Sequence, residues 1–472
     1  MRIAIFGTGR MFYNHWKYID REQVVCFMDN SEDKVGKQIE GIEVISPKCL
    51  KASDCDMVLI LSVYYDEMKR QLIENGIPEH MIYNYLYIGN MTRQPAWIYH
   101  TDGKQSFEDW CNTHQNKRAL LISHQLSYTG APIALMNMAR VLQRMGISVL
   151  YAGLEDGPLK KELEINHIDY VPNWKLLDRE TQKEFISGCG LVVISTACLK
   201  GLAEEYKDAG TPVIWWIHES EPGYVGIEQI DCGENVSVFC GGEYARRVFW
   251  NHCKDRDAQI LQYSIPEEEL FIAENERPND DKISFGLIGT ISERKAQDIF
   301  LRAVLKLPTD IRDKIEVIII GAVAEMAYWE EQKPLLQQMK NIRIIGEIPQ
   351  RELSEKYKEI DVLVCPSRDD PMPIVVTQAM MYGIPCILSK NVGQVEFIES
   401  GVNGFVFEHE EEFAEQMAWV VNHRERLYNI GRQAREIYKQ NFSETIMEKR
   451  LEELWQKNAN RGNGHAGCSN WE

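Results

Sequence analysis

An acidic side chain precedes a predicted helix start in the run from Pro366 to Ser389, PSRDDPMPIVVTQAMMYGIPCILS. The run follows a buried strand, and Pro373 suits the first turn of a helix while Gly383 suits its C-terminal cap. Asp370 is therefore expected beside a helix N-terminus, where backbone N–H groups point outward and favour negative ligands. The spacing predicts a site that can hold an anionic ligand such as a nucleotide sugar.

Two adjacent cations, Arg294 and Lys295, follow a strand and a turn at Gly289 in the run FGLIGTISERKAQ. A diphosphate leaving group accumulates negative charge as a glycosidic bond breaks, and cations beside a helix N-terminus stabilise that charge. An isolated Arg-Lys pair at a helix start is more often a solvated charge. Its position upstream of the Asp370 run favours the binding interpretation here.

The Asp370 run resembles the retaining family-4 glycosyltransferases, which have a strand, Pro-Ser, an acidic residue, a second acidic residue eight positions later, Ala-Met and Gly-x-Pro. The first acidic position falls on Asp370 and the second on Gln378. The resemblance implies that Asp370 contacts hydroxyls of the donor sugar and that residue 378 holds the ribose. A carboxylate accepts from both ribose hydroxyls whereas glutamine has one acceptor oxygen, so donor binding should weaken by about 1 to 2 kcal/mol.

The same resemblance covers residues 118–457 and implies roles for further positions. It places the catalytic chemistry on Asp370, His218, Arg294 and Lys295, and donor binding on Gly130, Gly289, Gln378, Gly346 and Glu347. Gly130 lies in a strand-to-helix turn, and the loop that begins at Gly346 is where the nucleotide base packs in the family. His218 is implied to contact the donor sugar, although a lone histidine is more often a satisfied structural group. Glu219 beside it is the lesser candidate.

The resemblance implies transfer of a sugar from a nucleotide-sugar donor to a glycan, lipid-linked saccharide or protein, with retention at the anomeric carbon. It implies no cofactor and no metal ion. Two alternatives stay open. Gln378 favours a non-catalytic protein that binds or stabilises an active transferase. A nucleotide-sugar epimerase is the other alternative, because such epimerases share the GT-B architecture.

Short β-rich apolar runs alternate with segments of helical period along the chain, which indicates an α/β fold with parallel sheets. With the resemblance, this predicts the GT-B architecture of two Rossmann-like domains facing a cleft, preceded by a small extra Rossmann-like domain. The predicted parts are the small domain over 1–93, a linker over 94–117, an acceptor domain over 118–272, a hinge over 273–281, a donor domain over 282–441, a helix crossing back over 442–457 and a flexible tail over 458–472.

The predicted strands of the first part include Val24–Met28 and Met57–Ser62, and a helix over Asp66–Asn75 is expected to end at Gly76. Further predicted strands are Leu191–Ser195, Val213–His218, Ser284–Ile288 and Val362–Cys365, and further predicted helices are Pro132–Met145, ended by Gly146, and Ser443–Gln456.

The first turn of the chain, FGTGRMF, matches the dinucleotide-binding fingerprint only in part, because Phe12 stands where a third small residue is required. Asp29, at the end of the second predicted strand, stands where the fingerprint places a ribose ligand. The sequence leaves open whether this domain binds a nucleotide or is only structural.

Composition and charge set the remaining expectations. The 472 residues carry a formal net charge of -19, which argues against a general nucleic-acid binder. The start of the sequence lacks the features of a secretory signal and no apolar run is long enough to span a membrane, so a cytoplasmic location is expected, with peripheral contact at the inner membrane face left open. The 12 cysteines show no metal-ligand spacing and are expected as free thiols, buried at Cys26, Cys198, Cys240, Cys365 and Cys386.

Overall fold

A computed structural model describes residues 1–62, 64–91, 96–115, 117–220, 227, 231–268 and 282–462. Residue contacts divide the chain into two compact units. The first comprises Met1–Ser127, Ser148–Val192 and Asp208–Thr211, and the second comprises Tyr128–Ile147, Val193–Lys207 and Pro212–Glu472. The predicted hinge over 273–281 lies outside the described residues.

The N-terminal part of the first unit has a sheet of its own. Its strands are β1 (Ile3–Phe6), β2 (Val24–Met28), β3 (Gln38–Ile39), β4 (Ile42–Ile45), β5 (Met57–Ile60) and β6 (Ile82–Asn84), and its helices are α1 (Arg10–His15) and α2 (Tyr65–Glu74). The strand order is β3-β4-β2-β1-β5-β6, with every described pairing parallel except β3 with β4. Both β1 and β5 are buried along their whole length, as in parallel sheets covered on both faces. The predicted extra Rossmann-like domain is confirmed.

Among its described residues, the middle of the chain contains nine further strands. They are β7 (Ile98–His100), β8 (Gly103–Gln105), β9 (Arg118–Ser123), β10 (Ser148–Gly153), β11 (Asp169–Val171), β12 (Leu191–Ser195), β13 (Val213–Ile217), β14 (Val236–Cys240) and β15 (Gln259–Ile260). The helices are α3 (Phe107–Thr113), α4 (Gly130–Arg144), α5 (Lys160–Ile165), α6 (Arg179–Ser187), α7 (Lys200–Glu205) and α8 (Glu243–His252). In the first unit the strands run in the order β9-β10-β11-β7-β8, and in the second β13, β14 and β15 are parallel neighbours.

The segment 94–117, expected as a connection without a regular period, contains regular structure where it is described. A hairpin of β7 and β8 adds to β11, and the helix α3 follows. These elements are too short to show a period in the sequence and are stabilised by distant contacts. Trp110 of α3 donates to the Asp169 carboxylate at 2.7 Å, and the ring of Tyr99 stacks on that of Tyr170.

The last sheet lies within the second unit. Its strands are β16 (Ile283–Ile288), β17 (Ile315–Ile320), β18 (Ile342–Ile345), β19 (Val362–Cys365), β20 (Cys386–Ser389) and β21 (Phe405–Phe407). The helices are α9 (Gln297–Lys306), α10 (Thr309–Arg312), α11 (Met326–Glu331), α12 (Lys333–Leu336), α13 (Gln350–Tyr357), α14 (Ile374–Met381), α15 (Glu410–Asn422), α16 (Leu427–Asn441) and α17 (Glu444–Gly462). All strands are parallel, in the order β18-β17-β16-β19-β20-β21. This is the order of doubly wound nucleotide-binding sheets, and the chain changes direction across the sheet between β16 and β19.

Two predicted helix ends are confirmed by glycines with positive φ. The chain leaves α2 through Gly76 at φ +86° and leaves α4 through Gly146 at φ +75°. The final helix α17 contacts α4, where Arg140 and Arg144 form ion pairs with Glu444. Residues 463–472 of the predicted tail lie outside the described residues.

Four of the five cysteines expected to be buried are buried. Cys198 is exposed instead, because it follows β12 in a short 3₁₀ turn whose neighbours Ala197 and Leu199 take the buried positions. No helix among the described residues is both long enough and apolar enough to cross a membrane.

Candidate functional site

The two chemically promising runs of the sequence meet at the carboxyl ends of β16 and β19. Gly289 follows β16 directly, and the Pro366–Asp370 loop follows β19. Ligands of open parallel sheets bind in the crevice at the carboxyl ends of the strands, at the point where strand order reverses. The topology thus places Arg294, Lys295 and Asp370 at the expected ligand site of this sheet.

The carboxylate of Asp370 is held by three side chains. Lys295 Nζ contacts Oδ2, Arg294 Nη1 lies 3.6 Å from Oδ1, and Ser367 Oγ donates to Oδ2 at 3.3 Å. Only 6% of Asp370 is exposed, whereas 47% of the Arg294 side chain is exposed. Two cations thus face one carboxylate, and one of them remains accessible to solvent.

A strained turn carries the two cations. After Gly289, at φ +151°, residues Glu293–Lys295 form a single 3₁₀ turn, and Ala296 takes φ +57° before α9 begins. A left-handed conformation costs a residue with a Cβ roughly 1 to 2 kcal/mol. A Cβ added to Gly289 would lie 3.8 Å from Lys295 Cε, so this glycine borders the lysine side chain.

The loop that contains Asp370 is held by hydrogen bonds to the segment that follows β20. The backbone N–H of Asp370 donates to Asn391 O at 3.1 Å, and that of Gly393 donates to Asp370 O at 2.9 Å. Gln394, fully buried, donates to Pro373 O at 2.8 Å, directly before α14. These bonds hold Asp370 beside the start of α14, as the sequence predicts.

Gln378 lies on α14 with 8% of its surface exposed. Its Oε1 accepts a hydrogen bond from the hydroxyl of Tyr357 at 3.1 Å, and the same hydroxyl lies 3.0 Å from Val375 O. Burial raises the pKa of Tyr357 well above its usual value, so this hydroxyl keeps its proton. The hydroxyl shares its one proton between Gln378 Oε1 and Val375 O, so at most one of the two lone pairs of Gln378 Oε1 is engaged within the protein.

Within the second unit, Gly130 and His218 lie near the loop that leads into α14. A Cβ added to Gly130 would lie 3.8 Å from Cδ1 of Ile374, the first residue of α14. The imidazole of His218 packs on Trp216 with ring centroids 4.3 Å apart. Two adjacent glycines, Gly241 and Gly242, lie between His218 and this loop. A Cβ on the first would lie 3.5 Å from His218 Nδ1, and one on the second would clash with Met372 Cε.

The carboxylate of Glu219 is turned toward the backbone. It accepts hydrogen bonds from the N–H groups of Ala197 and His218, both at 2.9 Å. Burial raises the pKa of this carboxyl, and the hydrogen bonds act in the opposite direction. We therefore interpret Glu219 as a group that positions the backbone of His218.

The remaining predicted positions, Gly346 and Glu347, directly follow β18 and are exposed. They share the carboxyl edge of the sheet with Gly289 and Asp370, two strands away from β16.

Sequence reasoning missed several residues of this site. Tyr244 of α8 donates from its hydroxyl to Asp369 Oδ1 at 2.8 Å, and Arg368 bonds the turn that carries Arg294. The Gly241-Gly242 pair directly after β14 was the one available signal, because adjacent glycines after a strand indicate a close approach. No sequence pattern marks Tyr244 or Arg368.

The first sheet reverses its strand order between β1 and β5, where the fingerprint would place a ribose next to Asp29. Asp29 accepts instead from the Thr8 hydroxyl at 2.5 Å, from the Thr8 N–H at 3.1 Å and from Lys34 Nζ at 2.8 Å. Burial alone would raise the pKa of this carboxyl, but the hydrogen bonds from Lys34 and Thr8 lower it to about 2.

Among the described residues no group of three or more His, Cys, Asp or Glu side chains is arranged to hold a metal ion. Independence from metal ions stays a prediction.

Three family models match the chain. Residues 268–437 match "Glycosyl transferases group 1", residues 115–265 match "Glycosyl-transferase family 4", and residues 1–83 match "C2185-like, N-terminal". The first two matches together cover more than half of the chain and meet near residue 266.

Curated relatives share only part of their length with the chain. Spore coat protein SA of Bacillus subtilis is 25% identical over 186 residues, which are 36% of this chain and 48% of that protein. D-inositol 3-phosphate glycosyltransferase of Streptosporangium roseum is 26% identical over 129 residues, which are 26% of this chain and 30% of that protein.

Solved structures extend the likeness at the level of the fold. The crystal structure of Anabaena Alr3699/HepE in complex with UDP and glucose has a TM-score of 0.61 and 17% identity, and it covers 72% of this chain and 100% of that one. Sucrose-phosphate synthase of Thermosynechococcus elongatus has a TM-score of 0.59 and 14% identity over 72% of this chain and 99% of its own. With both family models in sequence and this fold, the chain belongs to the GT-B glycosyltransferases of the family-4, glycosyl transferases group 1, type and carries an additional Rossmann-like domain at its N-terminus.

Proposed function

We propose that this chain transfers a sugar from a nucleotide-sugar donor to a glycan, lipid-linked saccharide or protein acceptor, with retention of configuration at the anomeric carbon. The observation that carries the proposal is the contact of Arg294 and Lys295 with Asp370 at the carboxyl ends of β16 and β19. The HepE complex with UDP and glucose supports UDP-sugars as the first donors to test.

In the proposed complex the donor diphosphate lies against Arg294, Lys295 and the N-terminus of α14, and the sugar hydroxyls lie against Asp370. As the bond from the anomeric carbon to the diphosphate breaks, the diphosphate takes the bonding electrons, while the acceptor hydroxyl forms the new bond to that carbon and gives its proton to the departing diphosphate oxygen. The two cations stabilise this growing charge more in the transition state than in the ground state, which is the requirement for catalysis. Asp370 holds both cations at the site before the donor arrives.

A second candidate function is a non-catalytic partner of an active transferase. The observation in its favour is Gln378, a neutral side chain in contact with the Tyr357 hydroxyl at the position expected to hold the donor ribose. A neutral amide at this position predicts weaker donor binding than a carboxylate under either function, and absence of turnover distinguishes the second.

The test is nucleotide release from a panel of UDP-, GDP-, ADP- and dTDP-sugars by the purified full chain, with and without EDTA. The variants are Asp370→Ala and Lys295→Ala. The matched control is Lys306→Ala, which removes a lysine of α9 that pairs with Glu410 and Glu411. Release with one donor, lost in both site variants and kept in the control, supports the transferase. Donor binding without turnover in the wild type supports the non-catalytic partner, and absence of binding to every donor contradicts the donor site.

Retention would appear as a product with the anomeric configuration of the donor, determined by NMR. Unchanged release in EDTA would agree with the predicted metal independence. The cytoplasmic location stays a prediction.

A further inference from the structure

Arg368 joins the two loops that form the proposed donor site. Its backbone N–H donates to Arg294 O at 2.9 Å, and its Nη1 donates to Glu293 O at 2.6 Å. In the opposite direction, Arg294 Nη1 donates to Asp369 O at 2.9 Å. The turn with the two cations and the loop with Asp370 are therefore joined by three hydrogen bonds, two donated by Arg368 and one donated by Arg294.

The guanidinium of Arg368 is itself held by a buried carboxylate. Nη1 and Nη2 donate to the two oxygens of Asp298 at 2.9 and 2.7 Å, a bidentate arrangement that fixes the plane of the arginine. Asp298 belongs to the first turn of α9, two residues after the strained Ala296, and only 5% of it is exposed.

Two further groups hold Asp298 in place. The hydroxyl of Tyr328 donates to Oδ1 at 2.6 Å, and Arg302 Nη2 lies 2.8 Å from Oδ2. Burial would raise the pKa of Asp298, but the hydrogen bonds from Arg368 and Tyr328 and the charges of Arg368 and Arg302 lower it to about 2. This carboxylate stays ionised at neutral pH and keeps its bidentate contact.

We infer that Arg368, anchored by Asp298, is a positioning residue that sets Arg294 and Lys295 at the correct distance from Asp370. The inference rests on the proposed function. Arg368 makes no described contact with Asp370 itself, and it bonds the backbone of the turn from which both cations project. Its loss should leave the ground-state attraction between donor and cations largely intact while it misplaces the cations for the charge that develops in the transition state.

The kinetic test compares Arg368→Gln and Tyr328→Phe with the wild type on the donor identified in the panel. We expect kcat to fall about 10- to 100-fold in Arg368→Gln, with KM within about threefold, because an interaction used only in the transition state affects kcat. Tyr328→Phe should show a smaller fall of the same kind. Arg368→Lys should not restore kcat, since a lysine cannot form the bidentate contact.

The matched control is Arg144→Gln, which removes another arginine-carboxylate ion pair of the second unit, with Glu444. Arg144 is the last residue of α4, about 21 Å along the helix from Gly130. Its kinetic constants should equal those of the wild type. A rise in KM with unchanged kcat in Arg368→Gln, or kinetic constants within twofold of the wild type, would overturn the inference.

A second readout does not depend on turnover. The rate at which an acylating reagent modifies Lys295, followed by mass spectrometry of its peptide, reports how firmly this lysine is held against Asp370. We expect Arg368→Gln to raise this rate at least threefold and Arg144→Gln to leave it unchanged. If the wild type is inactive with every donor, the proposed transfer fails and this labelling decides the inference alone, with an unchanged rate refuting it.

Discussion

The first and the last sheet of this chain both reverse their strand order beside a glycine turn, and both place an aspartate and a lysine there. At the reversal point of the first sheet, Asp29 bonds Lys34 and both donors of Thr8. At that of the last sheet, Asp370 bonds Lys295 and lies near Arg294, which is 47% exposed. Lys34 is itself 40% exposed, so both sites have a partly exposed cation, and they differ in that, among the described residues, only the last sheet places a second cation beside its carboxylate.

The two glycine turns also differ in how closely the neighbouring backbone approaches them. A Cβ on Gly7 would lie 2.7 Å from Leu61 O, so the backbone of the neighbouring loop leaves no space beside the first turn. A Cβ on Gly289 would meet nothing nearer than the Lys295 side chain at 3.8 Å. A doubly wound topology thus supplies a possible ligand site, and the residues around the turn determine whether it stays open to a ligand.

The largest expected effect is on turnover. Lys295→Ala should reduce nucleotide release about 100- to 1000-fold, the usual loss when a group that stabilises transition-state charge is removed. Lys34→Ala, the equivalent change at the first sheet, should leave release unchanged. Equal losses in the two variants would remove the distinction between the sites.

The next effect is on the stability of the first sheet. Gly7→Ala introduces a Cβ at φ +101° against the Leu61 carbonyl and should destabilise the N-terminal domain by about 2 to 3 kcal/mol. Gly289→Ala meets no such contact and should cost only the conformational strain at φ +151°, on the order of 1 kcal/mol. Hydrogen exchange of peptides from β1 and β16 measures both, and a larger loss in Gly289→Ala would contradict the difference in closure.

A change at Gln378 should sharpen the donor site. Gln378→Glu supplies the carboxylate that family members use for the ribose, and the Tyr357 hydroxyl can still donate to one of its oxygens. Binding of the preferred nucleoside diphosphate should tighten by about 1 to 2 kcal/mol, or roughly 5- to 30-fold. Calorimetric titration measures this change in affinity. Gln394→Glu is unsuitable as a control, because Gln394 donates a hydrogen bond to Pro373 O directly before α14. An unchanged Kd would show that residue 378 does not contact the ribose.

The smallest effect concerns acid stability at the first site. The pKa of Asp29 is lowered to about 2 in the fold, below its unfolded value of about 3.9, so its stabilisation is present above the unfolded value and disappears as the pH falls through about 2. Asp29→Asn should therefore destabilise the N-terminal domain by about 1 kcal/mol at neutral pH. The difference in free energy of unfolding between Asp29→Asn and the wild type should shrink between about pH 4 and pH 2. A difference that stays constant over this range would argue against an ionised, hydrogen-bonded Asp29.

Much of the fold could be predicted because buried parallel strands are continuous apolar runs. The strands Val24–Met28, Leu191–Ser195 and Val362–Cys365 have the predicted ends. The β7-β8 hairpin and α3 could not be predicted, since they are short and depend on contacts such as Trp110 with Asp169.

The candidate site divides in the same way. Asp370 and the Arg294-Lys295 pair stand beside recognisable strand ends and helix starts, so local spacing predicts their positions. Arg368 is anchored by Asp298, 70 residues away in the sequence, and Tyr244 reaches Asp369 from 125 residues away. Only the folded chain brings such partners together.

The central claim, that the last sheet binds the donor and the first does not, is tested most directly by hydrogen exchange with and without the preferred nucleoside diphosphate. We predict slower exchange in peptides covering 289–297 and 366–378 and unchanged exchange in those covering 7–15 and 29–36. Protection of the first sheet's turn without protection of 289–297 would contradict the account.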